Sequence, residues 1–154
     1  VKRTTLAIAA AAALVITTSC SQPEPTPAAP VETVTNHATV TLKWEKDISV
    51  ALERARNEGK LVLVNFYAEW CVWCKRLEST TLRDTKVASV LDQKVVPLSL
   101  DVDAWGKELS NEYRVHELPT IVVLDAEGVE LGRIPGYMPP ESFLERVEGF
   151  LQQS

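Results

Sequence analysis

The chain has 154 residues, 45% of them hydrophobic and 24% charged, which fits a single soluble domain with appendages. Acidic side chains outnumber basic ones 21 to 16, giving a formal charge of −5. No basic cluster is present, which sets nucleic-acid binding aside because such binding rests on phosphate neutralisation.

Taken in order, the chain begins with an address. Val1-Lys2-Arg3 is basic, residues 6–16 are an uninterrupted alanine-rich apolar run, and Thr17-Thr18-Ser19 supplies small residues before Cys20. These features define a secretory signal over residues 1–19, too short for a comfortable membrane span. Its end resembles the lipobox of bacterial lipoproteins, with Thr17 where leucine is usual. That resemblance implies lipidation of Cys20; a plain secreted protein and an uncleaved anchor are the alternatives. Removing residues 1–19 takes away Lys2 and Arg3, leaving 14 basic against 21 acidic side chains and a charge of −7. Residues 20–39 carry Pro23, Pro25, Pro27 and Pro30 among Ser, Thr, Ala and Glu. Such a segment cannot build a core and reads as an extended, lipid-anchored tether.

Residues 40–154 are enough for one core. Residues 40–44 alternate like a short strand. Asp47 caps a helix with Ile48, Ala51, Leu52 and Ala55 on its apolar face, ended by Gly59. Residues 61–67 are apolar nearly throughout, as in a central strand covered on both faces. A helix follows over residues 71–79 with Leu77 facing inward, then a short one over 84–91. A strand over 95–102 precedes a helix over 106–113. Two strands, 120–124 and 129–134, are joined by the hairpin signal Ala126-Glu127-Gly128. Pro140 opens a last helix that places Phe143, Leu144, Val147, Phe150 and Leu151 on one face. Helices alternating with strands and a closing hairpin predict an α/β domain with a mixed central sheet flanked by helices.

The chemistry concentrates in Trp70-Cys71-Val72-Trp73-Cys74-Lys75, where the central strand gives way to a helix. There Cys71 sits among the unpaired N–H groups of a helix N-terminus, which favour thiolate over thiol. Cys74 comes round to the same side of the first turn, within reach of a mixed disulfide on Cys71. The same spacing serves structural zinc, but zinc takes four ligands and the chain has three cysteines and two histidines. Cys20 lies in the segment expected to be processed, and His37 lies in the proline-rich stretch, so a redox pair is the favoured reading. His116 reads as a surface loop residue, and Trp44 and Trp105 as packing.

Residues 67–75 resemble the active-site segment of the thioredoxin superfamily. Leu118-Pro119-Thr120 resembles that family's cis-proline loop, and Gly136 resembles the glycine before its last helix. Cys71 to Glu78, with Thr81-Leu82-Arg83-Asp84, is most similar to the C-terminal periplasmic domains of DsbD-type disulfide reductases and related thioredoxin-like lipoproteins. The resemblance spans roughly residues 40–151. It implies a thioredoxin-like fold and an envelope thiol:disulfide oxidoreductase, in the reducing direction, with Cys71 as nucleophile and Cys74 as resolving thiol. It also implies a cis bond at Pro119 and pairing of the Leu118 backbone with substrate. An apolar docking patch of Trp70, Val72, Trp73, Leu118, Pro119 and Gly136, extended by Tyr137, would surround Cys71; packing is the other reading of Trp73.

Asn65 stands where thioredoxin has a buried aspartate, and an amide cannot accept a proton. Glu78, one helical turn beyond Cys74, is the candidate replacement, with a solvated helix carboxylate as the plain alternative. No cofactor is implied beyond a redox-active Cys71–Cys74 disulfide, and no metal. The partners implied are cysteine-containing envelope proteins, an upstream electron-donating thiol protein, and the membrane through the lipid anchor. A copper- or other metal-binding module on this fold, and a non-catalytic interaction domain, are the rival classes.

Overall fold

A computed structural model describes residues 40–153. The expected signal segment, Cys20 and the proline-rich tether lie outside the described residues. Strand β1 (Leu61–Tyr67) is the centre of the domain. It pairs in parallel with β2 (Val95–Asp101) and antiparallel with β3 (Thr120–Leu124). β3 in turn pairs antiparallel with β4 (Glu130–Pro135), giving the order β2-β1-β3-β4. This is the mixed sheet that the alternation of helices and strands predicts.

The pleat divides the core in two. Leu61, Leu63, Ile121 and Val123 face one side, beneath α3 (Thr85–Lys94) and α5 (Pro140–Leu151). Val62, Val64, Phe66, Leu98, Leu100 and Val122 face the other, beneath α1 (Ile48–Glu58) and α4 (Lys107–Glu112). β1 is buried on both faces, which is why it reads as a continuous apolar run rather than an alternating one. On α5, Phe143 and Val147 are fully buried, each worth about 1.5–3 kcal/mol of transfer from water. The Asp47 carboxylate accepts the N–H groups of Ser49 and Val50, and Gly59 ends α1 in the left-handed region at φ 62°, both as predicted.

Three elements differ from the sequence expectation. Residues 40–44 form no strand; a single parallel bridge joins Glu45 to Leu98. Glu45 N–H donates to Pro97 O, and Ser99 N–H donates to Glu45 O. Extending that parallel ladder backward would require a donor from residue 97, and proline has none. Pro97 therefore stops the strand, while Leu42 and Trp44 still pack on the core.

The expected helix over 71–79 is α2 (Val72–Arg76) followed by a π-helical turn (Leu77–Thr81). Leu82 N–H reaches back five residues to Leu77 O. The hydroxyls of Ser79 and Thr80 both bond the Arg76 carbonyl, at 3.2 and 2.7 Å, in competition with the ordinary ladder. β4 begins at Glu130 rather than Val129, because Asp125 closes the hairpin by accepting Val129 N–H on its carboxylate at 2.8 Å.

Candidate active site at the Cys71–Cys74 disulfide

The strand β1 delivers the site. Its last residue, Tyr67, leads into a tight turn in which Cys71 N–H donates to Ala68 O at 3.1 Å. Cys71 is then the N-cap of α2, with its sulfur accepting the Cys74 N–H at 3.0 Å. Cys71 and Cys74 are joined as a disulfide, so the structure is the oxidised state. In the reduced protein the same N–H would favour the Cys71 thiolate. Both cysteines are buried, Cys71 4% and Cys74 6% exposed, so burial alone does not tell nucleophile from resolving thiol. Surroundings do. Cys71 is flanked by Trp70 and Val72, 69% and 75% exposed, whereas Cys74 lies at the wall of an interior cleft.

The strand order sets the layout around the disulfide. The chain leaves β2 toward Asp103, leaves β1 toward Trp70 and Cys71, enters β3 through Leu118 and Pro119, and leaves β4 toward Gly136 and Tyr137. All four connections meet at one end of the sheet. Leu118 packs on the Cys71–Cys74 cluster, and the Leu118–Pro119 bond is cis. Pro119 itself is buried, and its carbonyl accepts Gly136 N–H at 2.7 Å. Gly136 has φ 72°, which a side chain would oppose whatever the space. Trp73 is half exposed and its ring lies 5.7 Å from that of Tyr137. At the other side Trp70 donates its indole N–H to Asp103 at 2.7 Å. The predicted patch residues thus gather around Cys71, and Trp73 is at once stacked and exposed.

Behind the disulfide is a cleft of about 330 Å³ lined by Trp44, Lys46, Asn65, Cys74, Glu78 and Ser99, among others. Asn65 shares the pleat face of Leu61 and Leu63, which places it under α2. Its side-chain oxygen is buried and accepts no hydrogen bond within the described residues. Glu78 lines the same cleft but stands at its rim, with 63% of its side chain exposed and a carboxylate oxygen 3.4 Å from Arg83. Tyr67, at the mouth, has its phenol pushed up by burial and then by the Asp101 carboxylate.

His116 is exposed on its loop, as expected, and among the described residues no three His, Cys, Asp or Glu side chains converge on a metal-sized space. Trp105 is not packing; it is 56% exposed. It rides on the turn after β2, which Gly106 closes by donating its N–H to Asp101 O at 2.8 Å. A Cβ at Gly106 would stand 2.7 Å from that oxygen, so the turn has room only for glycine there. Asp103 and Arg76 also lie beside the site, although the sequence marks neither strongly. The signal available for Arg76 was a cation five residues beyond Cys71; nothing local marked Asp103.

Residues 48–150 match the family described as the thioredoxin-like domain. The chain is 36% identical over 118 residues to the thiol:disulfide interchange protein DsbD of Pseudomonas fluorescens, covering 73% of this chain and 20% of that protein. It thus spans about a fifth of the length of the curated relatives it matches. A thioredoxin from Thermus thermophilus is 35% identical, with a TM-score of 0.62 over 73% of this chain and 85% of that one. The reduced C-terminal domain of DsbD from Neisseria meningitidis is 26% identical, with a TM-score of 0.57 over 66% of this chain and 91% of that one.

Proposed function

The chain belongs to the thioredoxin-like domain family, and from that premise we propose that it is a thiol:disulfide oxidoreductase of the cell envelope that reduces disulfides in exported proteins. The observation that carries this reading is the Cys71–Cys74 disulfide, set at the start of α2 beneath an exposed apolar rim of Trp70, Val72 and Trp73. The similarity to the thiol:disulfide interchange protein DsbD supports the exchange chemistry, and the resemblance of residues 71–84 to DsbD-type reductase domains supports the reducing direction.

In the forward reaction the Cys71 thiolate attacks one sulfur of the partner's disulfide. That S–S bond breaks, the departing partner thiolate takes up a proton, and a mixed disulfide remains. Cys74 then loses its proton, with Glu78 as the accepting base, and attacks the Cys71 sulfur. The second partner sulfur leaves as a thiolate and takes up the proton that Glu78 accepted, and the domain is left in the oxidised form. Two electrons and two protons have passed to the partner, and an upstream thiol protein must return them. Trp70, Val72, Trp73, Leu118, Pro119 and Gly136 would hold an extended cysteine-bearing segment over Cys71, with the Leu118 backbone pairing to it. Residues 1–19 would serve as the signal, Cys20 as the lipidated anchor and residues 20–39 as the tether, holding the domain at a membrane of the cell envelope, on the extracytoplasmic side.

A Cys74→Ser variant tests the assignment, because its mixed disulfides cannot resolve. Expressed as the full chain, it should accumulate dithiothreitol-sensitive adducts with exported proteins, and Cys71→Ser should accumulate none. Adducts in equal yield from both variants would sink the assignment of Cys71 as nucleophile.

A further inference from the structure

We propose that Arg76 is a specificity determinant at one end of the docking surface, selecting disulfide-bearing segments with an acidic side chain beside the cysteine. The inference deepens the thiol:disulfide reading and rests on it. Arg76 is the last residue of α2, and its guanidinium carbon lies 5.6 Å from the centre of the Trp73 ring and 5.2 Å from that of Tyr137. The two rings stand 5.7 Å apart at 35°, and the Tyr137 hydroxyl reaches 3.4 Å toward the Thr80 hydroxyl. Both rings lie within cation–π distance of the guanidinium and restrict its rotamers. It also faces the Tyr137 hydroxyl, whose pKa is lowered by the Thr80 hydroxyl and then by Arg76, and its remaining N–H donors meet no carboxylate among the described residues.

Among the described residues, Arg54, Arg83 and Arg133 each pair with a carboxylate, and none lies within ion-pair distance of Arg76. A preorganised, unpaired guanidinium on the rim of a docking surface is a fork for a carboxylate. The surface is also polarised. The strand order puts Asp103 and Trp70 at the β2 and β1 end, and Tyr137 with Arg76 beyond β4. Exposed Glu69 adds a second carboxylate beside Trp70. A segment laid across Cys71 would thus meet negative charge at one end and Arg76 at the other. An acidic residue toward Arg76 is attracted and its lysine counterpart is not, in a chain whose net charge of −5 otherwise repels acidic partners.

The test uses the reduced full chain and short peptides with one cysteine, each blocked as a mixed disulfide with the same chromogenic aryl thiol. Asp, Asn or Lys is placed in turn at the two positions on either side of the cysteine. At one of these positions Asp should be favoured over Lys by about two- to fivefold in the second-order rate constant for single-turnover release of the aryl thiol, as for an exposed ion pair. The ratio should shrink as salt is raised. Arg76→Gln should remove the ratio, so that the Asp and Lys peptides react at the same rate. Arg76→Lys should keep part of it, since charge remains but the stacked fork is lost. Equal turnover of Asp and Lys peptides by the wild type, or a ratio that survives Arg76→Gln, would overturn the inference. Failure to reduce any peptide would overturn the thiol:disulfide reading, and this inference with it.

Discussion

At the scale of single residues, the sharpest question is where the Cys74 proton goes. Burial opposes a thiolate at Cys74, and the neighbouring Asn65 oxygen can accept a hydrogen bond but not a proton. Asn65 and Cys74 open on the same cleft as Glu78, so a carboxylate one turn away has a path to the thiol, directly or through water. Glu78→Gln should leave the first attack by Cys71 unchanged and slow release by on the order of 10²-fold, so that mixed disulfide builds up. The exposed contact between Glu78 and Arg83 is weak, so thermal stability should hardly move, which separates a proton-transfer role from a structural one. Asn65→Asp in the Glu78→Gln background should recover part of the rate. Stopped-flow resolution at wild-type speed in Glu78→Gln would make the carboxylate a solvated helix residue.

At the scale of elements, what was readable in advance was whatever a local pattern decides. The caps Asp47 and Gly59, the two-sided burial of β1 and the apolar face of α5 are each set by residues a few positions apart, and each is found as expected. The misreadings come from contacts made at a distance. Residues 40–44 alternate correctly for a strand, but Pro97, more than fifty residues away, denies them a ladder. The helix after Cys74 looked regular because Ser, Thr and Glu are ordinary surface residues there. It is instead a π turn, pinned where Thr81 donates its hydroxyl to Met138 O at 2.7 Å. That bond ties the end of the active-site helix to the segment following Gly136 and Tyr137. Thr81→Val keeps the side-chain volume and removes the donor to Met138, so it should cost about 1–3 kcal/mol in urea unfolding. It should also loosen the Trp73–Tyr137 contact, read as increased accessibility of Trp73 to a fluorescence quencher. An unfolding midpoint equal to wild type would show that the π turn is held by its own backbone. The disulfide pair itself needed no structure to find, whereas Asp103 and Arg76 become neighbours of the site only once the strand order is known.

At the scale of the whole molecule, two properties decide where and in which direction the domain works. The first is anchorage: if Cys20 carries lipid, the full chain should sediment with membranes and Cys20→Ala should not. Several acyl chains hold firmly where one binds only marginally. Mature protein found free with an unmodified N-terminus would rule the anchor out. The second is the balance between the oxidised and reduced folds, which fixes direction. A strong oxidant such as DsbA sits near −120 mV because its reduced form is the more stable, while thioredoxin sits near −270 mV. At 30 mV per about 1.4 kcal/mol for a two-electron couple, these cases differ by about 7 kcal/mol in the relative stability of the two folds. Two independent measurements therefore bear on one quantity. Equilibration of the reduced protein with glutathione should place the Cys71–Cys74 couple nearer −270 than −120 mV. Denaturant unfolding of the oxidised and reduced forms should show no large advantage for the reduced one. By the thermodynamic cycle through the unfolded chain, the two answers must agree. A potential above about −150 mV together with a much more stable reduced form would make the domain an oxidase. The same disulfide would then donate oxidising equivalents to exported thiols instead of removing disulfides from them.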